Sequence, residues 1–147
     1  FGNKFVAEKY GLLLHISQLE KQVLDFAPAS GLMYNMPFDN YQGEIVFLDS
    51  NKTIALGNDE LEILVTPGHS PGHISFYSRE NGFVISGDAL FYRSIGRTDL
   101  PGGDFNTLVK SIREQLFTLP AETKVYSGHG PETTIGEEMA ENPFIGN

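Results

Sequence analysis

Three side chains that can ligate a metal, His69, Asp88 and His129, each stand directly after a glycine that follows an apolar run. The runs are Leu61-Glu62-Ile63-Leu64-Val65, Gly82-Phe83-Val84-Ile85-Ser86 and Lys124-Val125-Tyr126-Ser127. Alternating apolar runs predict strands, and Pro67-Gly68 predicts the turn that ends the first of them. Histidine and aspartate are good ligands for a zinc-class ion when a further partner fixes each side chain. Two histidines and one carboxylate also match a facial triad for non-haem iron. The spacings are 19 residues from His69 to Asp88 and 41 from Asp88 to His129. The simpler alternative is that both histidines are turn residues bonded to backbone, with Asp88 a cap.

Around these residues the chain reads as helix, strand-rich centre, helix. A first helix is predicted over 2–10, with Asn3 as N-cap and Gly11 as stop. Leu12–Ile16 predicts a strand. Ser17-Gln18-Leu19-Glu20 has capping-box spacing and opens a helix ending near Pro28. Residues 29–44 lack a period and predict a loop anchored inward by Met33, Tyr34, Met36 and Phe38. Strands follow at 45–48, 53–56 and 61–66, and Asn81-Gly82 predicts a hairpin between 74–78 and 83–86. Residues 88–103 predict a Gly-rich loop. Leu108, Ile112, Leu116 and Leu119 mark an amphipathic helix capped by Asp104 or Asn106, and Thr134-Ile135-Gly136-Glu137 opens a last helix that stops before Pro143. The expected core is Leu61, Ile63, Val65, Ile74, Phe76, Val84, Ile85, Leu108, Ile112 and Val125.

Composition narrows the functions. The 147 residues are 40% hydrophobic and 12% aromatic, which predicts one folded domain over 1–147. There is no cysteine, so neither a disulfide nor a Cys-type zinc site contributes. A net charge of −9 argues against nucleic acid, whose phosphates need clustered Lys and Arg. No run approaches the roughly 18 apolar residues of a membrane span, so no membrane partner and a cytoplasmic location are expected.

The motifs Thr66-Pro67-Gly68-His69-Ser70-Pro71-Gly72-His73, Ser86-Gly87-Asp88-Ala89-Leu90-Phe91 and Ser127-Gly128-His129-Gly130-Pro131 resemble three ordered motifs of the metallo-β-lactamase-fold hydrolases. Gly96-Arg97-Thr98-Asp99 and Thr133-Thr134-Ile135-Gly136-Glu137, ending in Asn142-Pro143, resemble the glyoxalase II-like branch. The resemblance implies an α/β (α+β) fold, an αββα sandwich with a metal site at one edge. It implies His69 as a ligand of a first metal, Asp88 as the bridging, catalytic carboxylate, and His129 as a ligand of a second. It implies two zinc ions, with iron or manganese as alternatives, and a metal-bound hydroxide that attacks a thioester or ester. It further implies Arg97 near the substrate and His73 in a supporting role; the alternatives are a surface ion pair and an ordinary core histidine. His15 has no matching motif and reads as structural, and Tyr92 as packing.

One family motif, H-x-H-x-D-H, is absent, and Phe1-Gly2-Asn3-Lys4-Phe5 resembles the segment that follows it. The expectation is a sandwich incomplete at its N-terminus, covering about the C-terminal two-thirds of the complete domain. Such a piece is expected to hold metal poorly and to self-associate or swap elements as a homo-oligomer. The leading function implied is thioester hydrolysis of the glyoxalase II type on a small substrate. A mononuclear-iron persulfide dioxygenase and a non-catalytic assembly domain are the alternatives.

Overall fold

A computed structural model describes residues 2–50 and 52–145. Phe1, which opens the segment matched to the family, lies outside them. The chain divides into two compact units, residues 1–48 and 49–147.

In the first unit, α1 (Gly2–Tyr10) is followed by β1 (Leu14–Ile16), a 3-10 turn, α2 (Lys21–Met33) and β2 (Ile45–Phe47). β1 and β2 pair in parallel, and His15 stands exposed on β1 opposite Val46. Asn3 lies inside α1 and does not cap it. Ser17 caps the 3-10 turn by accepting from Leu19 N–H at 3.4 Å. α2 does not end near Pro28 but runs through it to Met33. Proline removes the N–H that would bond the carbonyl of Leu24. The Asn40 side chain donates to that carbonyl instead, at 2.5 Å, so the helix loses no bond there. Met33, Tyr34 and Met36 are exposed, not inward anchors; Phe38 alone of the four is half-buried, and it packs by Gly31.

The second unit is built on a six-stranded sheet. Its strands are β3 (Thr53–Leu56), β4 (Asp59–Val65), β5 (Ile74–Ser78), β6 (Phe83–Gly87), β9 (Lys124–Ser127) and β10 (Thr133–Thr134), in the order β10-β9-β6-β5-β4-β3. Between β6 and β9 the expected loop contains a small antiparallel hairpin, β7 (Leu90–Phe91) and β8 (Ser94–Ile95), which the sequence reading missed. α3 (Phe105–Ser111) is capped by Asp104, which accepts from Thr107 N–H at 2.7 Å. It continues as a π turn over Ile112–Leu116. α4 (Ile135–Glu141) begins with the expected capping box of Thr134 and Glu137.

Register explains the core. Tyr77, Val84 and Val125 are aligned across β5, β6 and β9, so they share one face. They pack with Leu108, Ile112, Leu116 and Ile135. Ile63, Phe76, Ile85 and Tyr126 are aligned on the opposite face. The expected core thus mixed two faces. Val65, at the end of β4 on the second face, is 42% exposed and is not core.

β4 is antiparallel to β5, β5 to β6, and β6 is parallel to β9. β4, β6 and β9 therefore point the same way, and the residues after their last positions emerge at one end of the sheet. Those residues lead to His69, Asp88 and His129.

Candidate metal centre

His69 is half-buried in the loop after β4. That loop is pinned by α3: Asp104 N–H donates to Gly68 O at 2.8 Å, and the Ser111 hydroxyl donates to Pro67 O at 2.8 Å. The ring orientation follows from one bond. His69 Nδ1 lies 2.9 Å from the carbonyl oxygen of Arg97, and a carbonyl only accepts, so Nδ1 carries the proton. In the neutral ring this leaves the lone pair on Nε2, which lies 3.7 Å from Asp88 Oδ2.

Asp88 is set by a second histidine. His73 Nε2 accepts from the backbone N–H of Asp88 at 3.2 Å, so its Nδ1 proton goes to Thr66 Oγ1 at 2.9 Å. Thr66 is fully buried and also bonds Ser75 Oγ at 2.9 Å. Both ring nitrogens of His73 are thereby committed to holding the Asp88 backbone. Two glycines make this packing feasible. Gly87 has φ +51°, and a Cβ there would stand 2.8 Å from His73 Nε2. A Cβ at Gly128 would collide with Asp88 Oδ1, so the residue before His129 must be small for the carboxylate to occupy its place.

His129 is exposed, and its ring lies against Phe91 with centroids 4.5 Å apart. His69, Asp88 and His129 line one cleft of about 350 Å³ with Phe91, Tyr92, Ser94, Ile95, Gly96, Arg97, Gly130 and Pro131. A larger open hollow of about 920 Å³ is lined by first-unit residues alone and contains none of the candidate ligands. Tyr92, read from sequence as packing, is exposed at the cleft. Among the described residues no group of three His, Asp or Glu side chains is gathered closely enough to hold a metal ion. The structure brings His69 and Asp88 together, and His129 shares their cleft without joining them in such a group.

Two electron-pair donors this close favour a cation or a proton between them. Donors on one tetrahedral zinc, each at about 2.0–2.2 Å, stand roughly 3.3 Å apart. The 3.7 Å separation of His69 and Asp88 is close to that, so the pair is compatible with two positions on one metal ion, while no third ligand is gathered beside it among the described residues.

Arg97 is largely exposed and its guanidinium grips Asp99 in a fork, Nε to Oδ1 at 2.7 Å and Nη2 to Oδ2 at 2.8 Å. Those bonds, together with one from its own backbone, hold the Asp99 carboxyl below its usual range. Sequence reasoning gave no role to Thr66, although it opens the quoted motif, and none to Phe91. A β-branched hydroxyl at a strand end seven residues before a histidine was the available signal for Thr66.

The structure is an α/β fold whose co-directed strands bring a histidine and a carboxylate to one end of the sheet. The Metallo-beta-lactamase superfamily profile matches residues 2–129, and the chain belongs to that superfamily. It is 42% identical over 142 residues to Probable metallo-hydrolase YqgX of Bacillus subtilis (strain 168), covering 95% of this chain and 67% of that protein. It is 37% identical over 130 residues to Hydroxyacylglutathione hydrolase GloC of Haemophilus influenzae, covering 88% and 61%.

Among solved structures, TTHA1623 in a di-iron-bound form matches with TM-score 0.88 and 35% identity, covering 98% of this chain and 70% of that one. The BLEG-1 B3 metallo-beta-lactamase matches with TM-score 0.87 and 38% identity, covering 97% and 69%. ETHE1 from Myxococcus xanthus matches with TM-score 0.66 and 30% identity, covering 96% and 66%. The chain thus spans about two-thirds of the length of these proteins. The mixed fold with its central sheet is that of the superfamily, whose members bind metal ions. No helix among the described residues is long and apolar enough to cross a membrane.

Proposed function

We propose that the protein carrying this sequence is a metal-dependent hydrolase of the glyoxalase II type, cleaving a small thioester such as an acylglutathione. The observation that carries the reading is the His69–Asp88 pair, with one nitrogen of His69 fixed by Arg97 O and the other 3.7 Å from the carboxylate. The similarity to GloC supports the thioester class.

His69, Asp88 and His129 would hold the metal, with zinc the expected ion and iron supported by the di-iron form of TTHA1623. A bound divalent ion lowers the pKa of water to about 7, which supplies a nucleophile at neutral pH. The chain's own residues do the rest. His73 fixes the Asp88 backbone, and with it the direction of the carboxylate. Phe91, Tyr92 and Ile95 give the cleft an apolar wall suited to an acyl chain and sulfur. Arg97 at the rim, its guanidinium paired with Asp99, would meet an acidic substrate by exchanging that carboxylate for the substrate's.

The test uses the protein at its full natural length. Thioester hydrolysis is expected to stop on chelation, to return with zinc or iron, and to be abolished by His69→Ala. Hydrolysis indifferent to chelator or to His69→Ala withdraws the reading. A second reading, persulfide oxidation at a single iron, draws on the similarity to ETHE1 and on Gly96-Arg97-Thr98-Asp99. Oxygen uptake with a persulfide, in place of thioester turnover, would select it.

A further inference from the structure

Glu138 is fully buried, and the groups that donate to its carboxylate among the described residues are neutral: a hydroxyl, an amide and a backbone N–H. Its carboxylate accepts three hydrogen bonds: from Thr133 Oγ1 at 2.7 Å, from Asn142 Nδ2 at 2.7 Å and from the backbone N–H of Arg93 at 3.0 Å. A buried carboxyl group is costly unless its oxygens are hydrogen-bonded, and both of these are. The third donor matters most, because it lies 45 residues away, at the tip of the β7–β8 hairpin.

Arg93 has φ +55°, a left-handed conformation that disfavours any residue with a Cβ. Something outside the turn must hold it there, and α4 does so at three points. Glu138 takes the Arg93 N–H, Asn142 Nδ2 donates to Ser94 O at 3.0 Å, and Glu141 pairs with the Arg93 guanidinium. Positions 138, 141 and 142 are three and four apart, so they share one face of the helix. The Arg93 guanidinium in turn lies over the Tyr92 ring, 5.3 Å from its centroid. The other strand end of the hairpin carries Phe91, whose ring lies on His129.

We propose that Glu138 is a positioning residue: through Arg93 and Asn142 it fixes the β7–β8 hairpin, and so places the Phe91–Tyr92 wall of the cleft against His129 and the substrate. The motif that begins at Thr133 then has a task beyond capping a helix. Glutamine should replace Glu138 well. Its oxygen can accept from Arg93 and Asn142, while its amide donates to the Thr133 hydroxyl, which both gives and takes hydrogen bonds. Methionine has similar bulk but accepts from none of the three.

The experiment compares Glu138→Gln and Glu138→Met in the full-length protein with Leu116→Ala, a core truncation that lowers stability but removes none of the hydrogen bonds holding the hairpin to α4. Hydrogen exchange, read residue by residue, should show protection lost at Arg93 and Gly96 in Glu138→Met. It should be kept in Glu138→Gln and in Leu116→Ala. On a thioester substrate, kcat/KM of Glu138→Met should fall ten- to a hundredfold, mainly through KM, as expected for a displaced binding wall. Glu138→Gln should stay within about threefold of the parent. If Glu138→Met does not fold, Asn142→Ala, which leaves two donors on the carboxylate, should show the same pattern more weakly.

Retained Arg93 protection in Glu138→Met overturns the proposal, as does a KM change no larger than that of Leu116→Ala. Loss in Glu138→Gln equal to that in Glu138→Met also overturns it, by assigning the effect to charge. The kinetic arm rests on the thioesterase reading; the exchange arm does not, and it decides the proposal even if no thioester is turned over.

Discussion

At His69 the two ring nitrogens have separate tasks, and the division comes from a main-chain carbonyl 28 residues away. The consequence is testable at Arg97. Replacing Arg97 by Met keeps that carbonyl, so His69 and the metal content should be unaffected, while the guanidinium fork is lost. Carboxylate-bearing thioesters should then lose about 1.5–3 kcal/mol of transition-state binding, roughly ten- to hundredfold in kcat/KM. Uncharged thioesters should change little. Equal losses on both would assign Arg97 to loop structure, a real alternative given its fork onto Asp99. The ligand assignment has its own check. With no group of three candidate ligands gathered among the described residues, metal analysis of this 147-residue chain should find less than one tightly bound ion. Two tightly bound zinc ions per chain would show the assignment to be wrong.

Among the elements, α2 and α3 show how a helix end or break is repaired. The carbonyl orphaned by Pro28 is satisfied by Asn40. Asn40→Leu should therefore cost about 1 kcal/mol, the lower end of the penalty for an unsatisfied acceptor, since this carbonyl is only partly buried. Adding Pro28→Ala restores an N–H to Leu24 O, so the double variant should recover most of the loss in denaturant melts. A double variant as unstable as Asn40→Leu alone would remove this account of the unbroken helix. At α3, the Asp104 carboxyl is held below its usual value of 3.8, first by the Thr107 side chain and then by its backbone N–H. A depressed carboxyl contributes stability above its unfolded pKa and loses it as pH falls through the folded one. The advantage of the parent over Asp104→Asn in thermal melts should thus be present at neutral pH and vanish in acid below 3.8. An advantage that persists in strong acid would mean the cap acts without its charge.

For the molecule as a whole, the apolar surface is the notable feature. Phe5, Tyr10, Leu12, Leu32, Met33 and Tyr34 are large, apolar and exposed, and all lie in the first unit. That unit carries only a two-stranded sheet among the described residues, with open edges. Exposed apolar patches and unpaired strand edges both favour association. This chain expressed alone is expected to self-associate, with apparent mass rising with concentration in light scattering. A monomer at high concentration would count against that expectation.

The strand ends carrying His69, Asp88 and His129 were legible in the sequence because glycine and proline after an apolar run act locally, within a few residues. The Thr134–Glu137 capping box and the Asn81-Gly82 hairpin were legible for the same reason. Val65 was misread although Leu61 and Ile63 on the same face are buried, because alternation tells which residues share a face but not where along the strand the cover of that face ends. The run of α2 past Pro28 depended on Asn40, twelve residues on, and no local pattern announces such a bond. The β7–β8 hairpin has two-residue strands and no glycine at its turn, so its fold depends on α4 holding Arg93 in place. The common direction of β4, β6 and β9 follows from pairing between distant segments, and that pairing, not spacing, brings His69 within 3.7 Å of Asp88. Sequence determined which residue types stand at turns; tertiary structure decided which turns meet, because strand order is fixed by burial across the whole sheet.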